Sequence, residues 1–275
     1  MKKYSLKKVT ALILCAALIF QNFSLTYAFP SEAEEIALAD DDSYAEATTE
    51  TAISTSVKNT AKSSTQSAIM LDSQEDGYDI SWYNDDKDSF EITNAEQLRG
   101  LAQLVNGTVS GTAIEAKDFS EKTITLGNDI NLENEEWIPI GESTYPVFSG
   151  TFDGNNHKIS GIFMENDRIY QGLFGVSYSA SIKNLTLEGS IRYTGISDFS
   201  YSAGVIGDSG GSSLENITNR VSVYNVSGRA AGISSSVNEG NIINCSNEGK
   251  ITGGIRSGGI VGEIAGYSGN FINEC

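Results

Sequence analysis

An internal repeat in the second half of the chain restricts its possible folds more than any other feature. One asparagine recurs with steps of 32, 28 and 29 residues, at Asn184, Asn216, Asn244 and Asn273. A glycine quartet advances with steps of 32, 28 and 27 residues, and its first glycines are Gly172, Gly204, Gly232 and Gly259. Two independent patterns that advance together are typical of stacked repeat units.

The repeat unit indicates one coil of a parallel β-solenoid. Apolar runs of a few residues alternate with turns, no helix pattern separates them, and the 275-residue chain has only 3 prolines. Successive coils would stack at the strand spacing of about 4.8 Å, which places equivalent side chains above one another. We therefore expect an all-β fold, a parallel β-helix with about 28–32 residues per coil.

Stacking also predicts which side chains face the interior. The apolar positions of two neighbouring coils would line it, at Leu185, Leu187, Ile191, Ile217, Val221 and Val223. Lys183, Thr186 and Glu188 would point outward. The recurring asparagines could hydrogen-bond to one another from coil to coil, and asparagine tolerates the backbone conformations of a bend.

The glycine quartets predict corners, where a side chain would clash or the backbone φ is positive. The structural positions that we assign to them are Gly172, Gly175, Gly204, Gly207, Gly259 and Gly262. The quartet Gly232-Ile233-Ser234-Ser235 lacks its closing glycine. We expect a looser corner in that coil.

One short helix is predicted ahead of the repeats. Thr93-Asn94-Ala95-Glu96 has the pattern of a capping box, apolar residues follow at helical spacing, and Asn106-Gly107 is a stop signal. We expect this helix to cap the amino-terminal end of the solenoid, because an open end exposes apolar core. Trp82, Tyr83 and Trp137 could act as sugar platforms, but packing against the first coil is the simpler interpretation.

The amino terminus has the pattern of a secretory signal. Lysines precede an apolar run from Val9 to Phe20, and Thr26-Tyr27-Ala28 offers a cleavage site. Residues 1–28 are therefore predicted to direct export to the medium or the cell surface, and no second apolar run follows that could form a transmembrane anchor. We expect residues 29–77 to be a disordered acidic linker rich in Ala, Ser and Thr. Residues 78–170 would form the cap and first coils, and residues 171–275 the repeats, which end in the middle of a coil.

Composition excludes several classes of function. The formal net charge of −18 disfavours binding to nucleic acid and to anionic lipid. The chain has 1 His and 3 Cys, too few for a His-rich or Cys-rich zinc site. We assign no catalytic residue, no metal ligand and no cofactor.

Two short acidic motifs could carry chemistry. Asp153 and His157 could form an acid/base pair, but Asp-Gly and Asn-Asn are turn residues, so a strand-turn-strand is the simpler interpretation. Asn84, Asp86 and Asp88 alternate like the first ligands of a calcium loop, yet the glycine and glutamate that complete such a loop are missing. A solvated acidic segment is the alternative.

Glycan-cleaving β-helix enzymes use clustered carboxylates with a basic residue. Such a cluster would here require Asp198, Asp208, Glu215 and Arg220 to converge. Nothing in their spacing demands it.

Cys245 and Cys275 lie in successive coils and could form a disulfide. With the asparagines in register, Cys275 lies one place past the equivalent of Cys245. Two free thiols are therefore the favoured state.

Several segments in one order resemble a known family. The segments FEIT, NAEQLRGLAQLVNG, KTITLGNDINL, WIPIG, FSGTFDGNNHKISG and GLFG are similar to the amino-terminal part of bacterial GLUG-repeat surface proteins. The resemblance covers roughly residues 78–275, and the repeat region of some immunoglobulin A peptidases belongs to the same group. It implies a β-solenoid in a large secreted or wall-attached protein.

Two hypotheses of function follow. The first is an exported, non-catalytic solenoid for adhesion, display or spacing, which binds an extracellular protein or glycan and continues into further repeats or domains of the same polypeptide. The second is an enzyme, either a polysaccharide-cleaving β-helix or the amino-terminal non-catalytic region of a larger secreted peptidase. A half-built last coil predicts that another coil or a second copy of the chain covers its end.

Overall fold

The computed structural model describes residues 77–110, 115–266 and 269–275. The predicted signal, residues 1–28, and all but the last residue of the predicted linker lie outside these ranges. Within them, parallel strands form a β-solenoid of about 5 turns with one short helix, which confirms the predicted fold class. No helix in these ranges is long and apolar enough to cross a membrane.

The strands of the described ranges fall into three parallel sheets. In chain order the strands are β1 (Ser89–Ile92), β2 (Thr123–Leu126), β3 (Ile130–Asn131), β4 (Thr151–Asp153), β5 (Lys158–Asn166), β6 (Tyr170–Gln171), β7 (Phe174–Tyr178), β8 (Ser181–Tyr193), β9 (Tyr201–Ala203), β10 (Ile206–Gly210), β11 (Ser213–Asn225), β12 (Arg229–Ala231), β13 (Ser234–Asn238), β14 (Asn241–Ile243), β15 (Ser246–Asn247), β16 (Ile251–Gly253), β17 (Arg256–Gly258), β18 (Val261–Ala265) and β19 (Phe271–Asn273). Sheet A has the order β1-β2-β4-β8-β11-β14-β19, with β3, β5, β15 and β16 paired alongside. Sheet B has the order β7-β10-β13-β18, and sheet C has the order β6-β9-β12-β17.

The register of sheet A gives the length of each coil. Equivalent residues pair along the whole sheet, as Ser89–Thr123, Thr123–Thr151, Thr151–Ser181, Ser181–Ser213, Ser213–Asn241 and Asn241–Phe271. Coils therefore span 28 to 34 residues, and the longest is the first, which contains the helix. The coils that follow have the lengths that the repeat predicts.

The interior of the solenoid contains the predicted apolar side chains. All six that were assigned to it are at most 2% exposed: Leu185, Leu187, Ile191, Ile217, Val221 and Val223. Towards the amino-terminal end the interior is aromatic, and the rings of Phe119, Phe148 and Phe174 follow one another at centroid distances of 6.1 and 5.2 Å. Burial of this continuous apolar column is the main stabilisation available to the fold.

The helix α1 (Ala95–Asn106) begins and ends close to the predicted signals. The capping box lies one residue later than predicted, because the N-cap is Asn94 and not Thr93. The Asn94 side chain accepts from the Gln97 backbone N–H at 2.9 Å. The Gln97 side chain in turn accepts from the Thr93 N–H at 2.9 Å. At the other end Gly107 has φ of 67°, which is the left-handed conformation expected after a helix. The apolar face of α1 is buried in the same core cluster as the first coils.

Of the three aromatic side chains near the amino-terminal end, Trp137 lies in the core and the partly buried Trp82 and Tyr83 pack against it. Trp82 contacts Phe90 with ring centroids 5.4 Å apart, and Tyr83 stacks on Phe90 at 5.5 Å. Trp137 is 2% exposed, and its indole Nε1 donates to the carbonyl oxygen of Leu173 at 3.2 Å. The packing interpretation is therefore confirmed for these residues.

Candidate functional site

A column of side-chain amides runs along the outside of the bend in sheet A. Asn184, Asn216 and Asn244 all have positive φ, at 55°, 56° and 50°. The Nδ2 of Asn216 donates to Oδ1 of Asn184 at 3.1 Å, and the Nδ2 of Asn244 donates to Oδ1 of Asn216 at 2.7 Å. The column starts at a carboxylate, since Asn184 donates to Oδ1 of Asp153 at 3.0 Å. These three residues therefore have the coil-to-coil hydrogen bonds and the bend conformation that the repeat predicted.

The fourth asparagine does not belong to this column. Asn273 pairs with Ile243, so Glu274, with φ of 55°, occupies the position that follows Asn244. The repeat predicted a step of 29 residues here, but the strands pair with a step of 30, because the connection between β14 and β19 takes up one more residue. The assignment of Asn273 to the column is therefore wrong.

The glycine quartets stack in register. The N–H of Leu173 donates to Gly204, the N–H of Gly204 to Gly232, and that of Gly232 to Gly259, at 3.1 to 3.2 Å. A Cβ on Gly204 would lie 2.0 Å from Oδ1 of Asn219, so this position requires glycine. Nothing lies within 4 Å of a Cβ on Gly259, so the same position in the last quartet is open.

The first glycines make room for a pair of side-chain amides, one buried and one partly buried, that sequence reasoning missed. Asn219 is fully buried, and its Nδ2 donates to Oδ1 of Asn247 at 2.8 Å. Its Oδ1 accepts from the N–H of Val221 at 3.1 Å. A Cβ on Gly232 would lie 2.4 Å from the Cγ of Asn247, as one on Gly204 would crowd Asn219. The signal was present in the sequence, because residues 219 and 247 differ by the same 28 residues as the second repeat step.

The fourth position of each quartet is a close contact between coils. A Cβ on Gly207 would lie 2.7 Å from the carbonyl oxygen of Gly175, and one on Gly262 would lie 2.7 Å from that of Ser235. Ser235 itself is fully buried in β13, so the corner that we expected to be looser is closed. Its hydroxyl has no hydrogen-bond partner among the described residues. The backbone pairing of the neighbouring coils holds this residue in place without glycine.

The structure separates Asp153 from His157. His157 Nδ1 lies 3.0 Å from Oδ1 of Asp129, whereas Asp153 interacts with Asn184 and with Lys183, whose Nζ is 3.6 Å away. The segment between them is a turn, in which the N–H of His157 donates to the carbonyl oxygen of Gly154 at 2.7 Å. The turn interpretation is therefore confirmed.

The calcium-like motif is held by protein contacts. Asn84 Oδ1 accepts from the N–H of Asp86 at 2.9 Å, and Asp88 Oδ1 lies 3.7 Å from Nζ of Lys122. The same Lys122 donates to the carbonyl oxygen of Lys87 at 2.6 Å. Among the described residues, no group of three or more His, Cys, Asp and Glu is placed to share a metal ion.

The structure does not gather the four residues of a glycan-cleaving centre on one element, and Asp198 lies in the turn before β9, where its carbonyl oxygen accepts from Arg229 at 3.3 Å. Glu215 and Arg220 lie on β11 of sheet A, whereas Asp208 lies on β10 of sheet B. Arg220 instead belongs to a column of alternating charge, formed by Lys158, Glu188, Arg220 and Glu248 at N–O distances of 2.8 to 3.3 Å. The ion pair with Lys158 holds the pKa of Glu188 below its usual range.

A second outward column lies on sheet C. Tyr170, Tyr201, Arg229 and Arg256 occupy equivalent positions in four successive coils. The Tyr170 and Tyr201 rings stack at a centroid distance of 5.3 Å with an angle of 21° between their planes. The guanidinium of Arg229 lies over the other face of the stack, 4.5 Å from the Tyr201 centroid. We call these four residues the Tyr/Arg column.

Carboxylates of sheet B face the Tyr/Arg column. Arg229 is 7% exposed and its Nε donates to Glu263, which also pairs with Arg256 at 3.3 Å. Asp208 and Glu263 occupy positions equivalent to Ser236 in the central coil. Burial raises the pKa of Asp208, although the Ser236 hydroxyl and the charge of Arg229 oppose the shift. The corner between the two sheets therefore holds opposite charges that neutralise one another.

Exposed apolar side chains line the turns that lead into sheet C. We call them the apolar ridge, and they are Ile169, Ile196, Phe199, Val226 and Ile255. Ile196 is 97% exposed and Phe199 is 67% exposed. Backbone hydrogen bonds stack the turns, such as that from the N–H of Tyr201 to Ile169 at 2.7 Å and that from the N–H of Ile255 to Gly228 at 3.1 Å. The ridge thus runs from coil to coil beside the Tyr/Arg column.

No family model matches the chain, so the GLUG-repeat likeness stays a resemblance, and no curated protein matches it. Among solved structures, the chain is similar to one titled "putative immunoglobulin A1 protease" from Bacteroides ovatus, with 18% identity and a TM-score of 0.37. The match covers 69% of this chain and spans 65% of the length of that structure.

Proposed function

We propose that this chain is an exported, non-catalytic β-solenoid that binds a protein partner through the apolar ridge and the adjoining Tyr/Arg column. The proposal rests mainly on the exposure of the apolar ridge. Ten large apolar side chains are exposed among the described residues, and five of them lie on the ridge. Exposed apolar side chains that recur in the same turn of successive coils, beside polar side chains, offer a candidate interaction site.

The composition of this surface favours a protein over a glycan. Tyrosine and arginine beside apolar side chains are enriched at the energetic centres of protein interfaces. A sugar would need a free aromatic face, and Tyr201 does not offer one because its ring lies between the Tyr170 ring and the Arg229 guanidinium. Stacking repeats the contact in each coil, so weak contacts add along the solenoid axis.

Export is supported by the amino-terminal pattern of lysines, apolar run and small residues. Expression with the native signal, followed by amino-terminal sequencing of the protein outside the cytoplasm, tests this part. A mature chain that begins at Phe29 is the expected result. Retention of the uncleaved chain inside the cell would contradict export.

The binding proposal is tested with two matched variants of the full chain. In the first, Ile196→Ser is combined with Phe199→Ser on the ridge, and in the control Tyr178→Ser alters an exposed side chain of sheet B. Both variants and the wild type are presented to arrays of purified extracellular proteins and of glycans. We expect a protein partner whose binding falls at least tenfold in the ridge variant and is kept in the control. Equal binding by both variants would contradict the ridge, and a glycan partner lost only in the ridge variant would replace the protein proposal.

One observation favours a second candidate, a glycan-cleaving enzyme. Burial raises the pKa of Asp208, although the nearby charge of Arg229 opposes the shift, and a raised carboxyl pKa is a feature of an acid catalyst. Incubation of the purified chain with labelled polysaccharides discriminates between the two candidates. Turnover that Asp208→Asn abolishes would establish the enzyme, whereas an intact substrate panel supports the binding module. A non-catalytic region of a larger peptidase would bind in the same way as the proposed module.

A further inference from the structure

Cys245 and Cys275 occupy equivalent positions in successive coils. β14 and β19 pair as Asn241–Phe271 and Ile243–Asn273, a step of 30 residues that continues to the two cysteines. The N–H of Asn244 donates to the carbonyl oxygen of Asn273 at 3.0 Å, so pairing persists next to them. The expectation that Cys275 lies one place past the equivalent of Cys245 is therefore wrong. The connection between β14 and β19 is one residue longer than the repeat predicts, which also removes Asn273 from the amide column.

The two thiols also have matching surroundings. Cys245 Sγ lies 3.4 Å from the carbonyl oxygen of Ile243, two residues before it, and Cys275 Sγ lies 3.2 Å from that of Asn273. Each also reaches the preceding coil, where Cys245 contacts Leu214 at 3.6 Å and Cys275 contacts Ile242 at 3.7 Å. Leu214 and Ile242 are themselves paired in register. Equivalent contacts place the two sulfurs on the same side of the sheet, one coil apart.

The separation of the strands suits a bridge. Adjacent strands lie about 4.7 to 4.9 Å apart, within the range of about 4.4 to 6.8 Å between Cα atoms that a disulfide spans. Contact already exists, because the N–H of Cys245 donates to Sγ of Cys275 at 3.4 Å. Both cysteines are free in the structure, Cys245 buried and Cys275 exposed.

We propose that Cys245 and Cys275 form an intramolecular disulfide when the protein meets a small-molecule disulfide, and that this bond fixes β19 to the solenoid. The exposed Cys275 thiolate attacks one sulfur of oxidised glutathione and releases one glutathione. The Cys245 sulfur then attacks the Cys275 sulfur, loses its proton to solvent and expels the second glutathione. Two protein thiols are thus oxidised while one glutathione disulfide is reduced to two thiols.

The order of the two steps follows from the surroundings of the sulfurs. Burial raises the pKa of the Cys245 thiol to about 12, so Cys245 is a poor first nucleophile. Cys275 lies in solvent beside a strand whose three residues, Phe271 to Asn273, are all exposed. Fraying of this strand gives Cys245 the access that the second step requires. The bridge should therefore form more slowly than the mixed disulfide on Cys275, and faster at alkaline pH.

The bridge is measured on the full chain, which also contains Cys15. The protein is incubated with oxidised glutathione or with a dithiol reductant, digested without reduction and mapped by mass spectrometry. We expect a peptide that links Cys245 to Cys275, lighter by two hydrogens than its parts, in a protein whose molar mass by light scattering equals that of the reduced protein. Amide exchange in β19 should slow at least tenfold in the oxidised protein, and the dithiol should reverse both changes.

Single variants complete the test. Cys245→Ser should stop at the glutathione adduct on Cys275, whereas Cys275→Ser should show little reaction at residue 245 because that thiol is buried. Persistence of the glutathione adduct on Cys275 in the wild type, or bridging between two copies, would overturn the proposal. Unchanged amide exchange in β19 despite a mapped bridge would overturn the assigned role of fixing that strand.

Discussion

The side-chain amide of Asn216 donates to the amide oxygen of Asn184 at 3.1 Å, and both residues have left-handed backbone conformations. Most side chains are destabilised in that conformation, while asparagine tolerates it. The same residue type therefore serves two purposes, because it turns the sheet at the bend and connects adjacent coils. The Asp153 carboxylate at the start of the column accepts the first amide, which makes that hydrogen bond charge-assisted.

Asn216→Leu should lower the free energy of unfolding by about 1 to 3 kcal/mol, since it adds backbone strain and removes two amide hydrogen bonds. Asn216→Gly should cost less, because glycine adopts the positive φ without strain. Thermal or urea unfolding of both variants measures the difference, with Glu215→Ala on the exposed neighbouring residue as the control. Equal losses for Leu and Gly would show that the backbone conformation contributes little.

Asp153→Asn should make the protein less sensitive to acid. Partial burial opposes ionisation, but hydrogen bonds from Asn184 and the Asn155 N–H, with the charge of Lys183, hold the pKa of Asp153 below its usual range. A lowered native pKa contributes stability that is present above the unfolded value of about 3.9 and is lost as the pH falls through the native value. Melting temperatures from pH 7 to pH 2 should therefore fall less in the variant than in the wild type. Asp167→Asn, on an exposed residue, should keep the wild-type profile.

Arg229→Met should destabilise the solenoid by about 2 to 3 kcal/mol, because it removes charge-assisted hydrogen bonds and leaves Asp208 without its nearby cation. Arg256→Met is the matched control, since Arg256 has the equivalent position one coil later and its side chain is 47% exposed. The control should cost less than about 1 kcal/mol. Urea unfolding compares the two. A larger loss for the exposed arginine would contradict the importance assigned to the buried corner.

The sequence predicts the fold well because the repeat carries the register. Once equivalent positions are aligned, the alternation of apolar and polar residues determines which side chains, such as Leu187 and Val221, are buried. The Tyr/Arg column was not predicted, although its four members follow the same repeat. The contacts of these side chains depend on the angle at which sheets B and C meet. The spacing of repeats along a sequence gives no information about that angle. Asn273 was assigned to the wrong position because the turn before β19 contains one more residue than the repeat predicts, and no local sequence pattern indicates such an insertion.

Gly204→Ala and Gly259→Ala separate two explanations for the glycine that opens each quartet. If glycine is required by backbone conformation, both changes should be costly. The structure instead gives a steric reason at one position, since a Cβ on Gly204 would lie 2.0 Å from Oδ1 of the buried Asn219, while one on Gly259 meets nothing within 4 Å.

Gly204→Ala should therefore cost about 1 to 3 kcal/mol as overpacking, and Gly259→Ala should be nearly neutral. The loss at Gly204 should also depend on its neighbour. In an Asn219→Ala background the contact with Oδ1 disappears, although the approach of the Cβ to the Gly232 carbonyl oxygen at 2.7 Å remains, so Gly204→Ala should cost less there than in the wild type. Urea unfolding of the four proteins of this cycle gives the coupling free energy. Additive losses would mean that the two residues do not contact each other, and would contradict the interior amide pair as the reason for glycine at this position.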